Sequence, residues 1–141
     1  MTRFVAAVAG AVLLQSVVAA PLGAQPYPVP TPAKLKVHIS VDMEGISGIA
    51  GDDQLSAAGA EYNRSRRLMA DDANAAIRGA RAGGATEIVV NDSHGSMRNL
   101  RLEDLDPGAT LISHSFKRHG MMEGLDETFD AVIFIGYHAK A

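Results

Sequence analysis

The stretch Val-His-Ile-Ser-Val-Asp-Met-Glu-Gly at positions 37–45 decides the fold. Its apolar residues alternate with polar ones up to Val41, which is the period-two pattern of a β-strand, and Gly45 interrupts the pattern. Two further apolar runs, at 86–90 and 131–135, also lead directly into polar loops. If the three runs are neighbouring parallel strands, the loops after them meet at one edge of the sheet, where open α/β folds place their sites.

A helix is predicted between the first two strands, over 59–82. Its apolar residues fall on one stripe, and the pair Gly83-Gly84 ends it. Strand, helix and strand in this order make a right-handed crossover with parallel strands. Later segments favour a helical turn over 100–105, a turn at 107–108, a strand over 109–113, a short helix over 121–127 and a last strand over 131–135. The predicted class is therefore α/β, with a mostly parallel sheet flanked by helices.

Composition limits the function classes. The chain has 141 residues, is 47% hydrophobic, carries a formal charge of −3 and contains no cysteine. One core is expected, and any metal must be held by oxygen and nitrogen ligands. The charge balance gives no reason to expect nucleic-acid binding. The basic cluster Arg64, Arg66 and Arg67 is interpreted as a solvated helix face.

The amino terminus has the pattern of a secretory signal peptide over 1–24. Arg3 precedes an apolar run over 4–14, and small residues at 22–24 resemble a cleavage site. A membrane anchor is the alternative, but Pro21 and the polar residues at 15–16 interrupt the run before it can span a bilayer. Residues 25–33, with alternate prolines, are predicted to be an extended linker. The mature protein is expected to be periplasmic or secreted, with its folded domain over 34–141.

The last predicted strand, at 131–135, is apolar throughout, which predicts burial on both faces. Only six residues follow Ile135. The helix that usually follows a parallel strand is not among them, so we expect the chain to be the amino-terminal portion of a larger protein.

Asp42, Glu44, His94 and His138 are the candidate metal ligands. Each of them follows a predicted strand, and together they supply two carboxylates and two imidazoles at one sheet edge. The two carboxylates are two positions apart, so in extended geometry they point the same way and can share one ion or bridge two. Each also has an ordinary alternative: Asp42 as a turn cap, Glu44 and His94 as surface residues, and His138 as part of a frayed end.

Other polar residues carry weaker signals. Asp92 and Ser93 precede His94 and are predicted to support a ligand or line a pocket, although capping of the loop is the simpler interpretation for Asp92. His38 alternates with the apolar strand residues and is interpreted as a packed structural residue. Three further predictions concern the segment before the last strand: His114 and His119 in a solvated loop, and the pair Met121-Met122 in the core or a pocket wall.

Four motifs together resemble the zinc D-aminopeptidases of the DppA type. They are Ser-Val-Asp-Met-Glu-Gly-Ile-Ser-Gly at 40–48, Val-Asn-Asp-Ser-His at 90–94, Met-Glu-Gly-Leu-Asp at 122–126 and Gly-Tyr-His-Ala at 136–139. The resemblance implies two zinc ions per subunit in the complete protein, with Asp42, Glu44, His94 and His138 among the ligands. It places a further glutamate ligand and the catalytic histidine beyond the end of this chain. It also implies a decameric ring that admits short peptides.

The hypothesis is therefore a zinc metallopeptidase that releases amino-terminal (D-)amino acids from short peptides by means of a metal-activated water. The preference for D-residues comes only from the resemblance. Two alternatives stay open. The same ligands suit a two-metal phosphoesterase. A non-catalytic binding or assembly module is the other, because the downstream site residues are missing.

Overall fold

The computed structural model describes residues 34–139, so the predicted signal peptide and linker lie outside the described residues. Within that part of the chain, the regular elements are β1 (Leu35–Val41), α1 (Tyr62–Ala82), β2 (Ala85–Asp92), β3 (Thr110–Ile112) and β4 (Ala131–Ile135). Single 3₁₀ turns lie at Asp52–Gln54, Leu102–Asp104 and Gly120–Met122. All strand pairs are parallel and the strand order is β3-β2-β1-β4, which confirms the α/β prediction.

The register of the sheet brings three loops to one edge. Val41, the last residue of β1, pairs with Asp92 at the end of β2 and with Ile135 at the end of β4. The chain therefore leaves all three strands at the same level. The segments that begin at 42, 93 and 136 meet there, as the sequence predicted.

Helix α1 covers one face of the sheet. Met69, Ala73 and Ile77 are fully buried in the same core as Val37 and the other inward residues of β1. The helix begins at Tyr62, three residues later than predicted, and Gly84 at φ +100° provides the left-handed residue after its end. No helix among residues 34–139 is both long and apolar enough to cross a membrane.

His38 lies on the opposite face of β1 and is packed, as predicted. Its side chain is fully buried, and Nε2 lies 3.0 Å from the carbonyl oxygen of Glu123. The ring of Phe129 meets the imidazole edge-on, with 5.3 Å between centroids. The segment over 120–129 thus covers this face of the strand without forming a helix.

The predicted short helix over 121–127 was wrong. Only Gly120–Met122 forms a 3₁₀ turn, and irregular turns follow it. Gly124 adopts φ +82°, which a right-handed helix does not allow. The carboxylate of Asp126 then accepts a hydrogen bond from the backbone N–H of Thr128, at 2.9 Å, and so stabilises a turn.

The prediction that β4 is buried on both faces does not hold for the described residues. Ile133 and Ile135 pack against the core, but Val132 is 38% exposed and Phe134 is 54% exposed. The reason is the position of the strand: among residues 34–139, β4 is the outermost strand next to β1, and no described element covers its second face.

Candidate metal centre

Asp42 and Glu44 lie in the turn that follows β1. The backbone N–H of Asp42 donates to the carbonyl of Ile135 at 2.8 Å, and the backbone N–H of Gly45 donates to that of Gly136 at 2.8 Å. The strand ends at Val41, so the two carboxylates are not held by extended geometry as predicted. They converge because the turn folds both side chains towards the same imidazole, that of His94.

The ring of His94 is buried and has acceptors on both nitrogens. Nδ1 lies 3.2 Å from Asp42 Oδ1 and 3.1 Å from Glu44 Oε2, and Nε2 lies 2.9 Å from the carbonyl oxygen of Leu55. A carbonyl oxygen only accepts, so Nε2 carries a proton and Nδ1 is the nitrogen that faces the carboxylates. Such a backbone contact fixes the orientation of a ligating imidazole.

The surroundings of His94 favour its charged form in the absence of a metal. Burial opposes protonation, but the hydrogen bonds to Asp42 and Leu55 and the charge of Glu44 outweigh it and raise the pKa of His94 to about 9. Burial would likewise raise the pKa of Asp42, yet its contacts with His94 and Glu44 outweigh burial and lower it. In the absence of a metal, Nδ1 of His94 therefore carries a proton, and this proton lies between the carboxylates that a cation would contact.

His138 approaches the same carboxylate from the other side. Its Nε2 lies 3.7 Å from Asp42 Oδ2, and Nδ1 donates to the carbonyl of Ala139 at 2.8 Å. Its side chain is 54% exposed. The hydrogen bond to Ala139, together with the charges of Glu44 and Asp42, raises the pKa of His138.

Gly136 allows the loop after β4 to return over Asp42. Its φ is +69°, and a Cβ atom at this position would lie 2.1 Å from the carbonyl oxygen of Asp42. Gly45 is similarly close, since a Cβ there would lie 3.0 Å from the backbone of Gly136. At these two glycines the turn after β1 and the loop after β4 therefore approach each other through backbone atoms.

The donor set fits a divalent transition metal. One ligand atom from each of Asp42, Glu44 and His138 lies within 4.8 Å of the others, and His94 contacts both carboxylates. Carboxylate oxygens and imidazole nitrogens are ligands that zinc accepts, and a site without thiolates matches a chain without cysteine. All four predicted ligands are thus brought together.

Asp92 caps the loop that carries His94. Its carboxylate accepts hydrogen bonds from the backbone N–H groups of Asn99 and Leu100, at 2.5 and 2.7 Å, and from the Asn99 amide at 2.8 Å. The same amide donates to the carbonyl of His94 at 2.6 Å. Asp92 therefore stabilises the loop backbone and makes no hydrogen bond to the imidazole.

Helix α1 also supports this loop. Arg66 Nε donates to the carbonyl of Asn99 at 2.5 Å, and the Tyr62 hydroxyl donates to the Asn99 side chain. Arg66 is thus partly buried, so the prediction of a solvated basic face was wrong for this residue; Arg64 and Arg67 are exposed as predicted. The loop that holds His94 is connected both to the sheet and to the helix.

The sequence did not indicate several supporting residues. Ser40 Oγ lies 2.5 Å from Oγ of Ser93, a buried residue that the sequence did indicate, and Lys117 donates to Asn91 Oδ1 at 2.7 Å. Burial lowers the pKa of Lys117. The unpredicted members are Ser40, Leu55, Asn99, Lys117 and Tyr137. Among the remaining predictions, the two loop histidines at 114 and 119 are exposed, and the methionines at 121 and 122 are half-buried.

Comparison with known proteins gives one consistent answer. The family model described as D-aminopeptidase, peptidase family M55, matches residues 35–141. A D-aminopeptidase of Bacillus subtilis (strain 168) is 48% identical over 107 residues, which cover 76% of this chain and 39% of that relative. A solved structure described as Zn-dependent D-aminopeptidase DppA from Bacillus subtilis, a self-compartmentalizing protease, matches with a TM-score of 0.75 at 48% identity. This structural match also covers 76% of this chain and 39% of the matched chain.

This chain therefore spans about 39% of the length of the relatives it matches. The match begins at the start of β1 and includes every element that carries a candidate ligand. Together with the parallel sheet and the ligand geometry, it shows that the chain belongs to the D-aminopeptidase family M55.

Proposed function

We propose that the complete protein is a zinc metallopeptidase that releases amino-terminal residues, D-amino acids in particular, from short peptides. The observation that carries the proposal is the position of Asp42: its Oδ1 faces His94 and its Oδ2 faces His138. A carboxylate whose two oxygens face different imidazoles is suited to join two metal ions. The zinc dependence and the activity in the relatives' names support the same assignment.

The four side chains have separate tasks in this proposal. Asp42 joins the two halves of the site, and Glu44 and His94 hold the half that contains the buried imidazole. His138 holds the exposed half. When bound, two zinc ions supply a water of lowered pKa and polarise the peptide carbonyl. The Leu55 carbonyl keeps Nδ1 of His94 directed towards the carboxylates.

The exposure of the site agrees with a peptide substrate that enters from the His138 side. Glu44 and His138 have side chains 32% and 54% exposed, whereas Asp42 is only 3% exposed. A substrate thus meets the ligands at the rim, while the carboxylate that joins them stays buried. The family resemblance places the catalytic histidine and a further glutamate ligand beyond Ala141, so we assign no proton-transfer role to residues of this chain.

An assay of the full-length protein tests the proposal. We expect release of D-alanine from short peptides with an amino-terminal D-alanine, loss of that release with a chelator, and its return with zinc. Asp42→Asn provides an inactive reference. Phosphate esters form the second arm: turnover of these esters without peptide hydrolysis would support the two-metal phosphoesterase. Activity that persists after complete chelation would overturn the zinc proposal.

Assembly and location are separate proposals. We infer that the protein forms a ring of subunits, a decamer by family resemblance, because the matched structure is described as self-compartmentalizing. Light scattering after size-exclusion chromatography tests this, and a monomer would contradict it. We infer export from the pattern over 1–24, and fractionation of cells that express the full-length protein tests it.

A further inference from the structure

Ser40 connects the two loops that carry the histidines. It is fully buried on β1, two residues before Asp42. Its Oγ lies 2.5 Å from Ser93 Oγ and 2.6 Å from the Tyr137 hydroxyl. Ser93 directly precedes His94, and Tyr137 directly precedes His138. One hydroxyl on the central strand thus contacts the neighbour of each imidazole.

The direction of these hydrogen bonds follows from the available protons. Ser40 Oγ also lies 2.6 Å from the carbonyl oxygen of Met121, which only accepts. The single hydroxyl proton of Ser40 therefore goes to Met121, and Ser40 accepts from both Ser93 and Tyr137. The Asn91 amide in turn donates to Ser93 at 3.2 Å. Every hydroxyl proton in this group has an acceptor.

The two loops depend on Ser40 to different degrees. If the Ser40 hydroxyl is removed, Ser93 can still donate to the Met121 carbonyl at 3.1 Å. His94 also keeps its contacts with Asp42, Glu44 and the Leu55 carbonyl. Among the described residues, the Tyr137 hydroxyl has Ser40 as its hydrogen-bond partner, and its ring otherwise meets Phe134 edge-to-face at 5.1 Å. Removal of the Ser40 hydroxyl therefore leaves the Tyr137 hydroxyl without this hydrogen bond, so that the loop after β4 loses its contact with β1 at this point.

We propose that Tyr137 is a positioning residue for His138, and that its hydrogen bond to Ser40 determines where this imidazole lies relative to Asp42. The inference rests on the proposed zinc function. The imidazole of His138 has few contacts of its own: Asp42 at 3.7 Å and the adjacent carbonyl of Ala139. A fixed neighbour in the chain is what restricts its position. Removal of groups that orient metal ligands typically lowers metal affinity about 10–100-fold.

Zinc affinity of the full-length protein, measured by competition with a chelator, tests this inference. We expect Tyr137→Phe, which keeps the aromatic contact and removes only the hydroxyl, to lower zinc affinity about 10–100-fold. Ser40→Ala should have an effect of similar size. The double variant should bind zinc as tightly as the single variant with the lower affinity, because both changes remove the same hydrogen bond.

Ser65→Ala is the matched control, since Ser65 is a buried serine whose hydroxyl bonds only within the region of α1, to the Glu61 carbonyl at 3.1 Å. Its zinc affinity should equal that of the wild type. The visible spectrum of the Co²⁺-loaded protein adds a readout of ligand geometry, which Tyr137→Phe should change and Ser65→Ala should not.

The outcomes separate the inference from the function. Wild-type zinc affinity and an unchanged Co²⁺ spectrum in Tyr137→Phe would overturn the inference and leave the zinc function standing. An equal loss of zinc affinity in Ser65→Ala would show that the effect comes from general destabilisation, and this would also overturn the inference. A wild-type protein that binds no zinc would overturn both.

Discussion

The two histidines of the candidate site are held in opposite ways. The side chain of His94 is 8% exposed and has acceptors on both ring nitrogens, and its loop is fixed to β2 through Asp92 and to α1 through Asn99. The side chain of His138 is 54% exposed and meets Asp42 only at 3.7 Å. One half of the site is therefore formed by the fold itself.

A single carboxylate, that of Asp42, serves two imidazoles that are held in different ways. Asp42 is buried, and its hydrogen bond to His94 persists without a metal because the imidazole supplies the positive charge. On the other side, its second oxygen is left for a partner that arrives with the loop after β4. We expect the His94 half to contribute to folding stability and the His138 half to contribute mainly to metal binding.

The contact between Gly136 and Asp42 offers the most severe test, because it joins the two halves. In Gly136→Ala the Cβ would lie 2.1 Å from a backbone oxygen, at φ +69°, so the loop must move. We expect a loss of more than about 3 kcal/mol in the free energy of unfolding and no measurable zinc at the exposed half. Urea denaturation and metal analysis of the full-length protein measure both.

Gly84→Ala is the control for backbone strain alone. Its φ is +100°, but no atom beyond its two neighbours in the chain lies within 4 Å of the place that the added methyl group would take. It should cost about 1–2 kcal/mol and leave zinc binding unchanged. Equal losses in the two variants would show that the close approach between the loops has no special role.

Asp42→Asn should have the next largest effect. The amide keeps the size of the side chain but supplies a single acceptor, so it cannot serve both imidazoles. We expect zinc affinity to fall by more than about 100-fold, beyond the range seen for groups that only orient ligands. Asp72→Asn, which changes an exposed hydrogen bond to the Ser47 amide, should bind zinc as the wild type does.

Alanine at each histidine separates the two halves directly. His94→Ala removes charged hydrogen bonds and leaves two carboxylates without their partner, so we expect the metal-free protein to lose about 2–3 kcal/mol. His138→Ala should leave the stability of the metal-free protein nearly unchanged. Both variants should lose zinc affinity. Equal destabilisation by the two changes would show that the two histidines do not differ in their contribution to folding stability.

The pH dependence is the most gradual of the expected effects, because it is spread over the range from pH 6.5 to about 9. The pKa of His94 is raised from 6.5 to about 9, so its stabilising contribution is fully present below pH 6.5 and is lost as the pH rises through 9. Within this window the metal-free protein should lose at most about 1.4 kcal/mol per pH unit. The zinc-loaded protein should not, because a ligating imidazole is already neutral. Urea denaturation at pH 6.5 and 9, with and without zinc, makes the comparison, and parallel pH profiles would contradict it.

Sequence periodicity was sufficient for the strands and the main helix, because each has a clear apolar pattern. It also located the four candidate ligands, since parallel strands that end together bring their following loops together. It failed over 121–127, where Gly124 adopts a positive φ. It could not indicate Ser40 and Tyr137, because their contact depends on the pairing of Ser40 with Asn91 on one side and Phe134 on the other. Nor did it show that the Leu55 carbonyl orients His94, a contact across 39 positions.

The pairing of β1 with β4 has a consequence for the order of events during synthesis. Lys36 and Asp130, at the start of this pairing, are 94 positions apart. Contacts between such distant segments carry a large loop-closure cost and form late. As the chain emerges from its amino terminus, Asp42, Glu44 and His94 can assemble once β2 has docked, whereas His138 must wait for β4. Capture of the ion by all four side chains is then a checkpoint that the nascent polypeptide passes only after β1 has paired with β4.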